Sequence, residues 1–185
     1  MNICVYGASS QQIHTEYLQA AQDLGAALGE AGFSLVFGAG DTGVMGACAR
    51  GIARTQGAII GVAPRFFDKE GVLYQNCTEM IFTDTMRQRK QIMESRADAF
   101  VMAPGGIGTL EEFFEILTLK QLGRHCKPIA VLNTRGYFDS LASLLDGAVR
   151  EGFLEATVLS MYRMFREPGD LADYLQKELV NENIG

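Results

Sequence analysis

The sequence predicts an α/β protein: a Rossmann-like three-layer fold built on a mostly parallel sheet. Three observations carry that prediction. Short apolar runs alternate with longer helical stretches from one end of the 185-residue chain to the other. The runs are continuously apolar, as strands covered on both faces are. Glycine is also in excess, 21 of 185 residues against a usual ~7%, and it gathers where strands should hand over to helices. Alternation of this kind implies right-handed crossovers between parallel strands. With no internal repeat and no linker-like stretch, residues 1–185 read as one domain.

The elements follow in order. Ile3–Tyr6 is a strand, and Gly7-Ala8-Ser9-Ser10 leaves it as a loop of small residues. A helix over Thr15–Ala31 leads to a strand over Phe33–Phe37 and a second loop, Gly38-Ala39-Gly40-Asp41-Thr42-Gly43. A helix over Gly43–Gln56, strands over Ala58–Val62 and Met80–Phe82, and a helix over Thr85–Arg96 come next. The strand Ala99–Met102 feeds a third loop, Pro104-Gly105-Gly106-Ile107-Gly108-Thr109, and a helix over Thr109–Leu122. Ile129–Leu132 is a strand and Phe138–Glu151 a helix; a weaker strand near Leu159–Phe165 precedes a last helix, Gly169–Leu179. In open sheets of this type ligands bind beyond the carboxyl ends of the strands, so the three loops are the candidate site.

Composition narrows the function classes. With 48% hydrophobic and 21% charged residues, the chain has the make-up of a cored globular protein, not a disordered one. Sixteen Lys+Arg against 22 Asp+Glu give a net charge of −6, which excludes the broad basic surface of a nucleic-acid binder. No run approaches the ~20 apolar residues of a membrane span, and the first residues carry no signal-peptide pattern. Cys4, Cys48, Cys77 and Cys126 are scattered and His14 and His125 stand apart from them. That spacing offers neither a metal site nor a disulfide framework, so a reduced, cytoplasmic protein is expected.

The second loop has the spacing G-x-G-x-x-G, the dinucleotide fingerprint. That fingerprint also needs an acid about 20 residues on, at the end of the next strand. Here the region reads Ile59-Ile60-Gly61-Val62-Ala63-Pro64 and the first acid is Asp68, so nicotinamide binding is not expected. Two readings remain for these glycines: ligand contact, or close helix–sheet packing. The third loop lacks the G-K-[ST] ending of a P-loop. Gly105, Gly106 and Gly108 instead let backbone amides approach an anion at a helix N-terminus, a cup suited to a phosphate monoester. Thr109 and Glu112 read two ways, as a T-x-x-E capping box or as site residues.

At 100° per residue Arg89 falls within the apolar arc of Met86, Ile92, Met93 and Ala97. A charge there needs a partner, because burying it alone is costly. An internal salt bridge, a snorkelling side chain, and an anion or carboxylate near the third loop all satisfy that need.

Together these residues resemble a known family. Pro104-Gly105-Gly106-Ile107-Gly108-Thr109-Leu110-Glu111-Glu112 matches the P-G-G-x-G-T-x-x-E signature of the LONELY GUY (LOG) family. Its members are cytokinin riboside 5′-monophosphate phosphoribohydrolases whose relatives are often mislabelled lysine decarboxylases. Met86-Arg87-Gln88-Arg89-Lys90 resembles the family's M-x-x-R-K segment, and the openings Cys4–Ser10 and Gly43–Gly46 resemble its first two loops. The resemblance runs from about Ile3 to Gly152. It implies a catalytic pair at Arg89 and Glu112 and phosphate binding by Gly105, Gly106, Gly108 and Thr109, with Lys90 beside them. It also implies ligand contacts at Thr118 and at Glu70, the latter across a loop that aligns only with a gap. Ala8 and Ala39 stand in place of family glycines, and Thr85 where relatives often have Asp.

The implied chemistry is hydrolysis of the N-glycosidic bond of a purine nucleoside 5′-monophosphate, with no metal or organic cofactor. Positive charge builds on the ribose in an oxocarbenium-like transition state. A carboxylate at Glu112 would stabilise it and orient the attacking water. Met86, Met93, Phe66 and Phe67 are candidates near the base. The rival from another class is a non-catalytic nucleotide-binding or carrier protein on the same fold. A decarboxylase would need pyridoxal phosphate on a lysine. Of Lys69, Lys90, Lys120, Lys127 and Lys177, only Lys90 falls near the expected pocket. A homodimer is expected from the helix Thr109–Leu122. Its stripe Leu110, Phe113, Phe114, Leu117 covers the sheet, leaving Ile116, Leu119 and Leu122 for another helix: its counterpart in a dimer or larger homo-oligomer, or a neighbour in the same chain such as Phe138–Glu151.

Overall fold

Among the described residues, 1–181 of the computed structural model, seven strands form one sheet. They are β1 (Asn2–Tyr6), β2 (Ser34–Phe37), β3 (Ile59–Pro64), β4 (Glu79–Thr83), β5 (Ala99–Met102), β6 (Ile129–Leu132) and β7 (Arg163–Phe165). Their spatial order is β4-β3-β2-β1-β5-β6-β7, and every neighbouring pair is parallel. The expected mostly parallel sheet is therefore parallel throughout.

Six α-helices cover it: α1 (Thr15–Glu30), α2 (Gly43–Ile52), α3 (Met86–Arg96), α4 (Ile107–Gln121), α5 (Asp139–Arg150) and α6 (Pro168–Asn181). The pleat sorts the strand residues between two cores. Ile3 and Val5 pack with Leu24 and Leu28 of α1, Ile52 of α2 and Leu171 and Leu175 of α6. Cys4 and Tyr6, from the same strand, pack on the other face with Met93 of α3, Phe113 and Leu117 of α4 and Leu145 of α5. Burial on both faces is why the strands read as unbroken apolar runs.

Local chemistry moved several boundaries. α2 stops at Ile52, short of Gln56, because the Thr55 hydroxyl donates to the Ile52 carbonyl at 2.8 Å and ends the ladder. The weak segment Leu159–Phe165 divides into a short 3-10 turn, Ala156–Ser160, and β7. α4 begins at Ile107, two residues before Thr109, with Gly106 as N-cap. A Thr109 capping box therefore does not form. The capping box belongs to α3 instead: Thr85 Oγ1 accepts from the Gln88 amide at 3.2 Å, and Gln88 Oε1 accepts from the Thr85 amide at 3.2 Å.

The α4 faces also differ from expectation. Thr109, Glu112, Phe113, Ile116 and Leu117 form the buried stripe, so Ile116 lies in the core and not on a free face. Phe114 is partly exposed instead, on one side with Ile107 and Leu122. A helix apolar on most of its circumference does not reveal from period alone which side meets the sheet.

Strand order reverses between β1 and β5, the neighbours at the centre of the sheet. The loops after β1, β2 and β5 open there, at the switch point where such sheets bind ligands.

Candidate active site

Backbone bonds knit the three loops into one wall. The Ala8 amide donates to the Pro104 carbonyl at 3.1 Å, and the Met45 amide to the Ala8 carbonyl at 3.2 Å. The Thr42 hydroxyl donates to the Ser9 carbonyl at 2.6 Å. The wall encloses a cavity of about 590 Å³. Its lining includes the polar Ser9, Ser10, Thr42, Arg89, Thr109, Glu111 and Glu112, the glycines Gly7, Gly38, Gly106 and Gly108, and the apolar Met45, Phe67, Val72, Leu73 and Met86.

Arg89 and Glu112 meet at the floor. Arg89 stands one turn into α3, placed by the Thr85 cap, and Glu112 faces it from α4. Arg89 Nη2 lies 3.5 Å from Glu112 Oε1, and each residue is only 8% exposed. The arginine has room because residue 38 is glycine: a Cβ at Gly38 would sit 1.8 Å from Nη2. Arg89 Nη1 approaches Met86 Sδ at 3.8 Å. Its Nε is buried with no hydrogen-bond partner among the described residues. A donor left dry in this way costs ~1–3 kcal/mol.

Burial pushes the Glu112 carboxyl up from its ordinary 4.5 to about 7, against the attraction of Arg89. A carboxyl poised near neutrality exchanges a proton readily, the property required of a general acid or base. The Glu112 side chain points into the packed side of α4, and Thr109 is buried one turn before it. Both are inside the helix, so neither forms a capping box at its start.

The remaining expected site residues divide. Gly106, Gly108 and Thr109 line the cavity, as do Phe67 and Met86 of the residues expected near the base. Gly105 sits just behind them. A Cβ there would meet Thr109 Oγ1 at 2.1 Å, so only glycine lets the loop fold onto α4. Met93 is wholly in the core, and Phe66 lies tilted against Phe67 outside the cavity wall.

Lys90 does not itself line the cavity; its ammonium pairs with Glu111, which does, and with Glu115 at 2.9 Å. Burial works against that charge, but the two carboxylates outweigh it and hold the ammonium above its ordinary range. Thr118 lies on the exposed side of α4, away from the cavity. Glu70 lines a neighbouring depression with Asp41, Asp68 and Lys69. Lys90, Thr118 and Glu70 are thus not among the residues that line this cavity. The sequence reading missed Gly38, which gives no local sign of the distant arginine it admits. Ala39 beside it holds φ at +61°, a backbone state glycine normally fills.

Known proteins resemble this chain along most of its length. The chain is 40% identical over 157 residues to the cytokinin riboside 5′-monophosphate phosphoribohydrolase of Mycobacterium tuberculosis, covering 85% of this chain and 83% of that one. It is 39% identical over 155 residues to the Arabidopsis thaliana enzyme LOG2, covering 84% of this chain and 73% of the relative. A family model described as "possible lysine decarboxylase" matches residues 45–175. The chain belongs to the LOG family. The fold is shared more widely than the family. The molybdenum cofactor carrier protein of Chlamydomonas reinhardtii superposes with a TM-score of 0.73 at 21% identity, over 97% of this chain and 98% of that one.

The decarboxylase wording finds no footing in the LOG cavity, whose described lining includes no lysine to carry a Schiff base. Among the described residues, no group of three or more His, Cys, Asp or Glu could hold a metal ion. No described helix is long and apolar enough to cross a membrane.

Proposed function

We propose that the protein hydrolyses the N-glycosidic bond of a purine nucleoside 5′-monophosphate, releasing the free base and ribose 5-phosphate. The base is adenine or an N6-modified adenine, as in AMP or its isopentenyl derivative. The observation that carries this reading is the buried Arg89–Glu112 pair at 3.5 Å, set beside glycine-loop amides in one cavity. Phosphate binding alone needs no carboxylate beside the anion. Bond cleavage does, because positive charge develops on the ribose.

In the proposed reaction the 5′-phosphate rests on the amides of Gly106 and Gly108 at the α4 N-terminus. That anchorage holds the ribose over Glu112 and supplies binding energy remote from the reacting bond. As the C1′–N9 bond lengthens, its electron pair leaves with the base and Glu112 stabilises the oxocarbenium. Water adds to C1′ with Glu112 taking one of its protons; that proton ends on the departing base. Arg89 holds the carboxylate, and its guanidinium offers a donor to a ribose or phosphate oxygen. Water is the only co-reactant, and the proposal includes no metal or organic cofactor. Met45, Phe67, Val72, Leu73 and Met86 give the base an apolar wall, suited to adenine and to an alkyl group on N6.

The protein acts, in this proposal, as one domain in a cytoplasmic homodimer. Its four cysteines are free thiols, in keeping with a reducing compartment. The outer side of α4 carries Ile107, 88% exposed, with Phe114 and Leu122 among Glu111, Glu115 and Thr118, and exposed apolar residues of this kind are what two-fold contacts cover. The test of the activity is incubation with AMP and with isopentenyl-AMP, followed by chromatography for free base. Turnover of adenosine as fast as AMP would refute the role of the phosphate.

A further inference from the structure

Tyr137 does not line the cavity, yet its hydroxyl donates to the Gly105 carbonyl at 2.8 Å. We infer that Tyr137 is a positioning residue that fixes the phosphate-binding loop from behind. The inference rests on the phosphate site proposed above.

The argument starts from the peptide plane. The Gly105 carbonyl and the Gly106 N–H belong to one trans peptide and point in opposite directions. Gly106 lines the cavity and caps α4. A glycine–glycine peptide turns over easily because neither neighbour has a Cβ to resist it. Capturing its carbonyl from outside therefore sets the direction of its N–H. Donation to the carbonyl also polarises the peptide and strengthens the N–H as a donor. The preceding peptide is pinned likewise by the Ala8 amide on the Pro104 carbonyl.

The tyrosine is itself held by a built support. Asn133 Nδ2 donates to Asp139 Oδ1 at 2.7 Å, and the Phe138 amide donates to Asn133 Oδ1 at 2.7 Å. Arg135 sits at φ +57°, a strained state for a side-chain-bearing residue, and is tied to Glu16 of α1 at 2.7 Å. The Tyr137 ring meets Tyr17 edge-on at 5.7 Å and Phe138 at 4.9 Å. Since Tyr137 is 46% exposed, this support aims the hydroxyl and does not fill the core.

Tyr137→Phe removes only the hydroxyl and keeps both ring contacts. One hydrogen bond's worth of loop order corresponds to about a three- to ten-fold effect. The KM for the nucleoside monophosphate and the inhibition constant of ribose 5-phosphate should both rise by that factor, with kcat within about two-fold and the melting temperature nearly unchanged. In the ligand-free protein, the amide resonances of Gly106 and Gly108 should shift and exchange faster. A lower melting temperature with KM, ribose 5-phosphate affinity and both amide signals unmoved would overturn the inference. If the wild type turns over no nucleoside monophosphate, the proposed function fails. Ribose 5-phosphate affinity and the two amide signals then still decide the role of Tyr137.

Discussion

Gly38→Ala probes the placement of Arg89 at the cavity wall. The new Cβ would stand 1.8 Å from Arg89 Nη2, 2.9 Å from Cζ and 3.4 Å from Nε. An ordinary contact of about 3.4 Å forces the guanidinium tip to retreat by about 1.6 Å, on the scale of side-chain packing. The obstruction is the far end of a flexible side chain, not backbone. Gly38 is also absent from the glycines with positive φ, so alanine enters without backbone strain. The fold should therefore persist, with stability within about 2 kcal/mol of wild type. The reaction should not tolerate the shift, because a misplacement of ~1 Å in a reacting constellation costs ~10²-fold. The expected result is a fall in kcat/KM of ~10² or more, read by release of free base from AMP, with a circular-dichroism melt showing a folded protein. Full activity in the folded variant would refute the claim that Arg89 must stand where it does. An unfolded variant would refute the claim that the glycine serves the site.

Other outcomes follow from the same geometry. Glu112→Gln should lower kcat by roughly 10²–10⁴ with little change in melting temperature; unaltered turnover would reduce Glu112 to a structural ion-pair partner. Arg89→Ala should abolish turnover, and an unaffected rate would make the buried pair a purely structural device. Because the Glu112 carboxyl is pushed up to about 7 from 4.5 by burial, the folded protein keeps a proton that the unfolded chain has released between those values. Its contribution to stability is full below the lower value and is lost as pH rises through the upper one, about 3 kcal/mol in all. The stability of wild type relative to Glu112→Gln should thus fall by that order between about pH 5 and about pH 8, and a constant difference would contradict the burial. Leu122→Glu should halve the mass seen by light scattering, from about twice 20.2 kDa to the monomer; an unchanged dimer would place the interface elsewhere.

Much of this was legible because the responsible physics is local. The segments Ala99–Met102 and Ile129–Leu132 coincide with β5 and β6, since a strand covered on both faces must be apolar at every position. Arg89 betrayed itself as a charge in an apolar arc, and the structure supplies the carboxylate that such a charge requires. What stayed hidden depends on tertiary neighbours. The start of α4 is set by the glycine loop's backbone, so Thr109 only resembled a cap. Lys90 is claimed by Glu111 and Glu115 because α3 and α4 lie side by side, which no spacing within either helix reveals. Gly38 serves a residue on another element, and Tyr137 reaches back to Gly105 from beyond β6.

The central claim is that the buried pair breaks a glycosidic bond rather than merely sitting beside a bound nucleotide. It is tested most directly by incubating wild type and Glu112→Gln with AMP and isopentenyl-AMP, following free base and ribose 5-phosphate by chromatography while measuring nucleotide affinity by calorimetry. The account predicts equimolar base and ribose 5-phosphate from wild type, and retained binding with turnover reduced by roughly 10²–10⁴ in the variant. Tight binding of both nucleotides by wild type with no base released would contradict it and make the protein a nucleotide carrier.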